Sequence, residues 1–192
     1  MQIGNKFLEA IGSHSLDLGM KWARGMINSE YTITYKHFSE EELTKRGKDD
    51  FDNLVRWMEQ DIDIKEIGKI YLKVGKARYN EKFPLSEIIF AIHYSKKILW
   101  EHVVSSGFVS STLGFYQATQ MMMKINNFYD AACIYLIRGY SEALFIKLSR
   151  DNRIDYSAIK DLFPEGSFFG DLDSKDQSEN SWLSSWNLFK TK

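Results

Sequence analysis

The sequence has 192 residues, which fits one compact domain, or one domain with an appended tail. Its 25 Lys and Arg residues balance 26 Asp and Glu residues, so the net charge of -1 gives no electrostatic reason to expect nucleic acid or an anionic membrane as a partner. A single cysteine, Cys133, excludes an internal disulfide, and no apolar run approaches the roughly 20 residues of a membrane span. We therefore expect a cytoplasmic protein, with Cys133 as a buried, inert thiol.

The distribution of apolar residues predicts an all-α fold. The chain has only two prolines, and its apolar residues recur at steps of three and four. The first such segment, residues 5–27, predicts one amphipathic helix. Its three glycines, Gly12, Gly19 and Gly25, each cost a helix about 1 kcal/mol but allow close backbone approach. We expect this helix to pack closely on another helix, and we predict that it forms the interface of a homodimer.

Capping patterns mark the next two helices. Ser39 precedes Glu42 by three residues, as in a capping box, and Asp63 precedes Glu66 in the same way. The predicted helices run over about 39–60 and 63–79. Their expected buried residues are Leu43, Phe51, Leu54, Val55 and Met58 in the first helix, and Ile67, Ile70, Tyr71 and Val74 in the second. We interpret the acidic residues 40–42 and the pair Asp49–Asp50 as a solvated helix face.

Pro84 predicts the start of a helix over about 84–105, because proline is tolerated in a first turn and Glu87 suits the positive end of the helix dipole. Gly107 predicts the turn that follows. From residue 113 onward, helical spacing continues to about residue 150, and the weak helix formers Asn126 and Asn127 leave open whether one helix or two run there. The predicted domain is residues 1–150.

Residues 151–192 are predicted to be a C-terminal extension. The stretch 171–181 is too polar to offset its ordering entropy, so a disordered tether is expected. Residues 182–189 place Trp182, Leu183, Trp186 and Phe189 on one helical stripe, which predicts a short docking helix, on this chain or on a partner.

Motifs of common catalytic chemistry are missing from the sequence. It contains no G-x-S-x-G, no phosphate-binding glycine loop and no H-E-x-x-H, so we expect no enzyme activity. His93 lies among apolar residues and is the candidate for a haem or small-cofactor ligand. His102, nine residues further on, points in a different direction on the same helix, so we expect no metal site.

Two stretches carry a resemblance to a known family. "GKARYNEKFPLSEIIFAIHYSKKILWEHV", from Gly75, resembles the G-x-x-R, P-L-x-E, A and L-W pattern of the N-terminal sensor domains of the RsbT co-antagonist (RsbRD) family. "INNFYDAACIYLIRGYSEAL", from Ile125, is similar to the F-(F/Y)-D and GY-x-x-A-L segment further along such domains. The matching residues are Arg78, Pro84, Leu85, Glu87, Ala91, Trp100, Phe128, Asp130, Gly139 and Tyr140.

The resemblance implies a globin-like bundle of about six helices without haem, dimeric and non-catalytic, which serves as an input to bacterial stress signalling or to histidine kinases. The matched residues, with His93, are either lining a ligand pocket or structural. In the structural interpretation Trp100 fills the core and Arg78 pairs with Asp130 or Glu87.

Our first functional prediction is therefore a cytoplasmic sensory domain that needs no cofactor and transmits a helix shift through a dimer. The alternative is a haem or small-cofactor protein that uses His93. Residues 151–192 are too few and too polar for an output domain, so we expect a separate output protein, either a kinase or an anti-sigma-antagonist component.

Overall fold

The fold is described from a computed structural model, which covers residues 2–60, 64–107, 110–151 and 155. These residues form six α-helices and one short 3₁₀ helix, Thr34–His37, which confirms the all-α prediction. The helices are α1 Gln2–Ser13, α2 Ser15–Asn28, α3 Glu40–Gln60, α4 Ile64–Asn80, α5 Leu85–Ser105 and α6 Thr112–Ser149. A globin-like arrangement of these helices stays a prediction.

The helices pack as two groups around one core. α2 and α3 are antiparallel, since Arg24 pairs with Glu40 while Gly19 lies against Lys48. α4 and α6 have the most extensive helix contact and run parallel, since Gly68 lies against Tyr135 and the last turns meet beyond it. α5 runs antiparallel between them. The largest fully buried side chains are Tyr129, Tyr135, Phe51, Phe83, Phe128, Ile11, Met26, Leu43, Leu54, Ile67, Ile98 and Leu99.

The predicted starts of α3 and α5 are confirmed. Glu42 Oε2 accepts from the backbone N–H (3.1 Å) and the hydroxyl (3.0 Å) of Ser39, and the Ser39 hydroxyl accepts from the Glu42 N–H (3.2 Å). Pro84 is the N-cap residue of α5, and its carbonyl accepts from the Glu87 N–H at 3.1 Å. The second predicted capping box involves Asp63, which lies outside the described residues.

The prediction of one N-terminal helix is wrong, because the chain turns at His14. The His14 backbone (φ -109°, ψ 11°) interrupts the helix, and its imidazole Nδ1 lies 2.8 Å from the Ala10 carbonyl oxygen. A side chain that bonds to a carbonyl of the preceding turn competes with the helical hydrogen bonds. α1 and α2 are therefore separate helices.

The glycines of this segment serve packing inside the chain. A Cβ on Gly19 would lie 2.7 Å from the Thr44 carbonyl oxygen and 2.8 Å from the Lys48 nitrogen, both in α3. Gly25 lies against the Tyr94 ring of α5. These close approaches correct the idea that the glycines are there for a second subunit. The homodimer itself stays a prediction.

α6 is a single helix through Asn126 and Asn127, which settles the open choice. Most predicted core positions of α3, α4 and α5 are buried or half-buried, but Ile70 is exposed. Cys133 is half-buried rather than buried, and burial raises the pKa of its thiol. No helix within the described ranges is long and apolar enough to cross a bilayer. The predicted tether at 171–181 and docking helix at 182–189 lie outside those ranges.

Candidate functional site

A polar cluster at the centre of the bundle joins four helices through one carboxylate. Asp50 of α3 accepts a short hydrogen bond from the Tyr71 hydroxyl of α4 on Oδ1. Its Oδ2 accepts from the Tyr129 hydroxyl of α6 at 2.9 Å. Ser95 of α5 lies beside the same carboxylate. We name Asp50, Tyr71, Ser95 and Tyr129 the Asp50 cluster.

The electrostatics of the cluster are those of a carboxylate removed from water. Burial raises the pKa of Asp50, and the hydroxyls of Tyr71, Tyr129 and Ser95 oppose that rise, since each stabilises the ionised form. Burial, together with the neighbouring carboxylate, also raises the pKa of both tyrosines well above the ordinary value. The tyrosines are therefore hydrogen-bond donors at neutral pH, and Asp50 is the group in the cluster whose charge a protein rearrangement can change.

A second set of bonds extends the cluster to α2. The Ala91 carbonyl oxygen accepts from the indole Nε1–H of Trp22 in α2 at 3.1 Å and from the Ser95 hydroxyl at 3.2 Å. Trp22, Ala91 and Ser95 are all buried. Five of the six helices thus meet at one connected set of buried polar groups, which is a costly arrangement unless every member is satisfied.

The cluster corrects our interpretation of Asp49–Asp50 as a solvated pair. Asp49 is exposed, but Asp50 is partly buried and points into the bundle. A signal was present in the sequence, since Leu43, Gly47, Asp50 and Leu54 follow steps of four, three and four. A carboxylate within a buried stripe indicates a polar contact in the core.

The predicted pairing of Arg78 is wrong. Arg78 forms a short ion pair with Glu81 and lies over the Phe83 ring, with its guanidinium carbon 5.5 Å from the ring centroid. Arg46 of α3 bonds the same Glu81 through two nitrogens, at 3.2 and 3.3 Å. Two cations thus share one carboxylate, and together they fix the turn between α4 and α5 to α3.

The two proposed acidic partners of Arg78 have other partners. Asp130 of α6 forms a short ion pair with Lys96 of α5. Glu87 is buried, and its two carboxylate oxygens accept from the N–H (2.9 Å) and the hydroxyl (3.1 Å) of Thr34. Glu87 therefore ties the first turn of α5 to the 3₁₀ helix.

Gly139 and Tyr140 belong to the contact between α4 and α6. A Cβ on Gly139 would overlap the Leu72 carbonyl oxygen, and one on Gly75 would overlap the Leu136 carbonyl oxygen. The Tyr140 hydroxyl donates to the Phe83 carbonyl oxygen at 2.9 Å. The glycines at the two resembling stretches thus lie where these stretches pack on each other, which supports their structural interpretation.

His93 and Trp100 lie on the outer side of α5. His93 is exposed, so it lacks the apolar pocket that a haem ligand requires. Trp100 is 40% exposed, so the expectation that it fills the core is wrong. Among the described residues, no three His, Cys, Asp or Glu side chains converge on a metal-sized site.

The structure does not gather the predicted site residues into one pocket. Surface grooves of about 510 and 220 Å³ lie along α2 with Tyr94 and between α3 and α4, respectively. None of the eight candidates lines either groove; they are Arg78, Pro84, Glu87, His93, Trp100, Asp130, Gly139 and Tyr140. Instead, most of them fix one helix to another.

A family model described as "Histidine kinase N terminal" matches residues 10–142. This match extends from the end of α1 into the last third of α6, so it includes the whole Asp50 cluster. No curated protein and no solved structure matches the chain.

Proposed function

The chain belongs to the histidine kinase N-terminal family, and from that premise we propose that it is a non-catalytic sensory module that controls a kinase-type output. The observation that carries the proposal is the Asp50 cluster, in which α3, α4, α5 and α6 each contribute one side chain. The resemblance to RsbT co-antagonist sensor domains further supports a bacterial stress signal as the input. The single cysteine favours a cytoplasmic location.

The cluster is suited to transmit a helix shift. Asp50 has two phenol donors from two different helices, so a movement of α4 or α6 changes the stabilisation of its charge. A carboxylate that loses these donors in a dry bundle is destabilised by several kcal/mol or takes up a proton. The bundle therefore has two distinct arrangements, one with the bonds formed and one with the charge relieved. A signal that favours either arrangement moves several helices together.

The cluster is held against a rigid support. The glycine contacts at Gly75 and Gly139 lock α4 to α6 with backbones in direct contact. α5 is attached to this pair through the bond between Tyr140 and the Phe83 carbonyl and through the ion pair of Lys96 with Asp130. Because the α4–α6 pair moves as one unit, α3 and α5 are the helices whose position the Asp50 cluster sets.

A chimeric kinase tests the proposal. The full chain is joined to the catalytic core of a histidine kinase that lacks its own input domain, and autophosphorylation is measured. Asp50→Asn should change the rate about 2- to 30-fold, as a coupling energy of 0.5–2 kcal/mol implies. Asp49→Asn, at the exposed neighbouring position, should leave the rate unchanged. Equal rates for the wild-type chimera, both variants and the core alone would contradict the sensory function.

A further inference from the structure

Exposed apolar side chains gather on the outer sides of α5 and α6. Those on α5 are Trp100 and Val104, four residues apart, and those on α6 are separated by steps of 3, 7 and 14 residues, which places them on one side of that helix. We name this set the outer face. Its members are Trp100, Val104, Leu113, Tyr116, Met123 and Ile137.

The outer face is turned away from the other described helices. On α6, Gly139 faces α4 and Tyr129 faces the Asp50 cluster, and the outer-face positions lie on the other side of the helix. On α5, Ala91 faces Trp22 of α2, and Trp100 lies half a turn away from it around the helix. In the described part of the chain, these apolar side chains are left to solvent.

We propose that the outer face is the interface of a homodimer, in which a second copy of this chain packs its own α5 and α6 against it. This inference does not rest on the sensory function. It places the two-fold contact on α5 and α6, whereas the N-terminal glycines serve contacts within the chain.

The charges around Trp100 are complementary to a second copy of themselves. Lys97 and Glu101 lie one turn apart beside Trp100, with side chains 65% and 44% exposed. When two copies of α5 cross antiparallel with the two-fold axis near Trp100, Lys97 of each chain faces Glu101 of the other. A partner of a different sequence has no reason to repeat this pairing, so the charge pattern favours self-association.

The extent of the outer face suits a dimer of moderate affinity. The exposed fractions of its six side chains correspond to roughly 600 Å² of apolar surface per chain, against about 800 Å² per partner in a standard interface. Trp100 and Tyr116 are the residue types that anchor interfaces most often. Flanking polar residues of both helices supply the remaining area.

The first experiment measures the mass of the full chain by light scattering and sedimentation. The wild type should have twice the 22.4 kDa chain mass at micromolar concentration. Trp100→Glu and Tyr116→Glu should each weaken association at least tenfold. Ile146→Glu is the matched control, because Ile146 is also exposed (38%) on α6 but lies on another side of the helix, and it should leave the dimer intact.

A charge exchange tests the antiparallel register. Lys97→Glu and Glu101→Lys should each weaken the dimer, and the double variant should restore it, since opposite charges again face each other. The proposal is overturned by a monomeric wild type, which would leave the outer face to the C-terminal extension or another protein. A dimer that Trp100→Glu and Tyr116→Glu leave intact, or that Ile146→Glu disrupts equally, also overturns it.

Discussion

The imidazole rings of His14 and His102 lie 5.2 Å apart, measured between their centroids. His14 is the residue at which α1 turns into α2, and His102 is in the last turn of α5, so the pair joins the N-terminal helix to the far end of α5. Burial lowers the pKa of His102, and the neighbouring His14 and Lys21 lower it further. His102 Nε2 is buried without a hydrogen-bond partner among the described residues.

We predict that this contact weakens in mild acid. Because the pKa of His102 is lower in the folded protein, the unfolded chain binds the proton first, so the free energy of unfolding decreases as the pH falls through about 6.5 and below. Chemical denaturation between pH 7.5 and 5 measures this decrease. His102→Gln should remove part of it, whereas His93→Gln, on the exposed side of the same helix, should keep the wild-type profile. Parallel profiles for all three proteins would contradict the prediction.

The Asp50 carboxyl should titrate at a higher pH than an exposed aspartate. Burial raises its folded pKa above the unfolded value, so its favourable contribution is present below an unfolded pKa of about 3.9 and is lost as the pH rises through the folded pKa. Carboxyl carbon NMR measures both midpoints, with Asp49 as the internal reference. A midpoint of Asp50 at or below that of Asp49 would show that the phenol donors outweigh burial.

The bond between Asp50 and Tyr129 should couple their contributions to stability. Tyr129→Phe removes a donor to a partly buried carboxylate, so we expect a loss of about 1.5–3 kcal/mol in the free energy of unfolding. In the Asp50→Asn background the same change should cost at least about 0.5 kcal/mol less. Urea denaturation of the four proteins measures the coupling, and Asp49→Asn should stay within about 0.5 kcal/mol of wild type. Strict additivity would mean that the two side chains act independently.

Gly139→Ala should destabilise the bundle although alanine favours helices. The added methyl group overlaps the Leu72 carbonyl oxygen of α4, and backbone cannot yield as a flexible side chain does, so we expect a loss of about 1–3 kcal/mol or more. Gly12→Ala is the matched change, because its nearest neighbour, Val55 Cγ1, would lie at an ordinary 3.7 Å. Thermal unfolding should show Gly12→Ala unchanged or up to about 1 kcal/mol more stable. Equal effects at both positions would contradict the proposed close contact.

Local signals in the sequence predicted most of the helices. The Ser39–Glu42 capping box and Pro84 act through bonds to residues within one turn, so the sequence around them is sufficient to predict them. The turn at His14 was missed because the apolar spacing continues across it. A helical period is preserved when a chain bends at a turn of suitable geometry, and periodicity alone does not report the bend.

The polar contacts depend on helices far apart in the sequence, and here the sequence was less informative. Asp50 and Tyr129 are 79 residues apart, and no local pattern predicts that they meet. Arg78 was assigned the acidic residues of its own motif, but the nearest carboxylate in space is that of Glu81, three residues along the chain. Trp100 was expected in the core because of its size, whereas its position around α5 places it outside.

The length of α6 makes it a lever. At 1.5 Å per residue, its 38 residues extend for roughly 57 Å, and Ser149 lies about 30 Å beyond Tyr129 along the axis. A tilt of about 5° with its pivot at Tyr129 would therefore displace Ser149 sideways by roughly 2.6 Å, close to half of the 5.4 Å helical pitch. A change in one hydrogen bond at the centre of the bundle is thus magnified at the end of α6 into a displacement that a neighbouring helix cannot accommodate without changing its own packing.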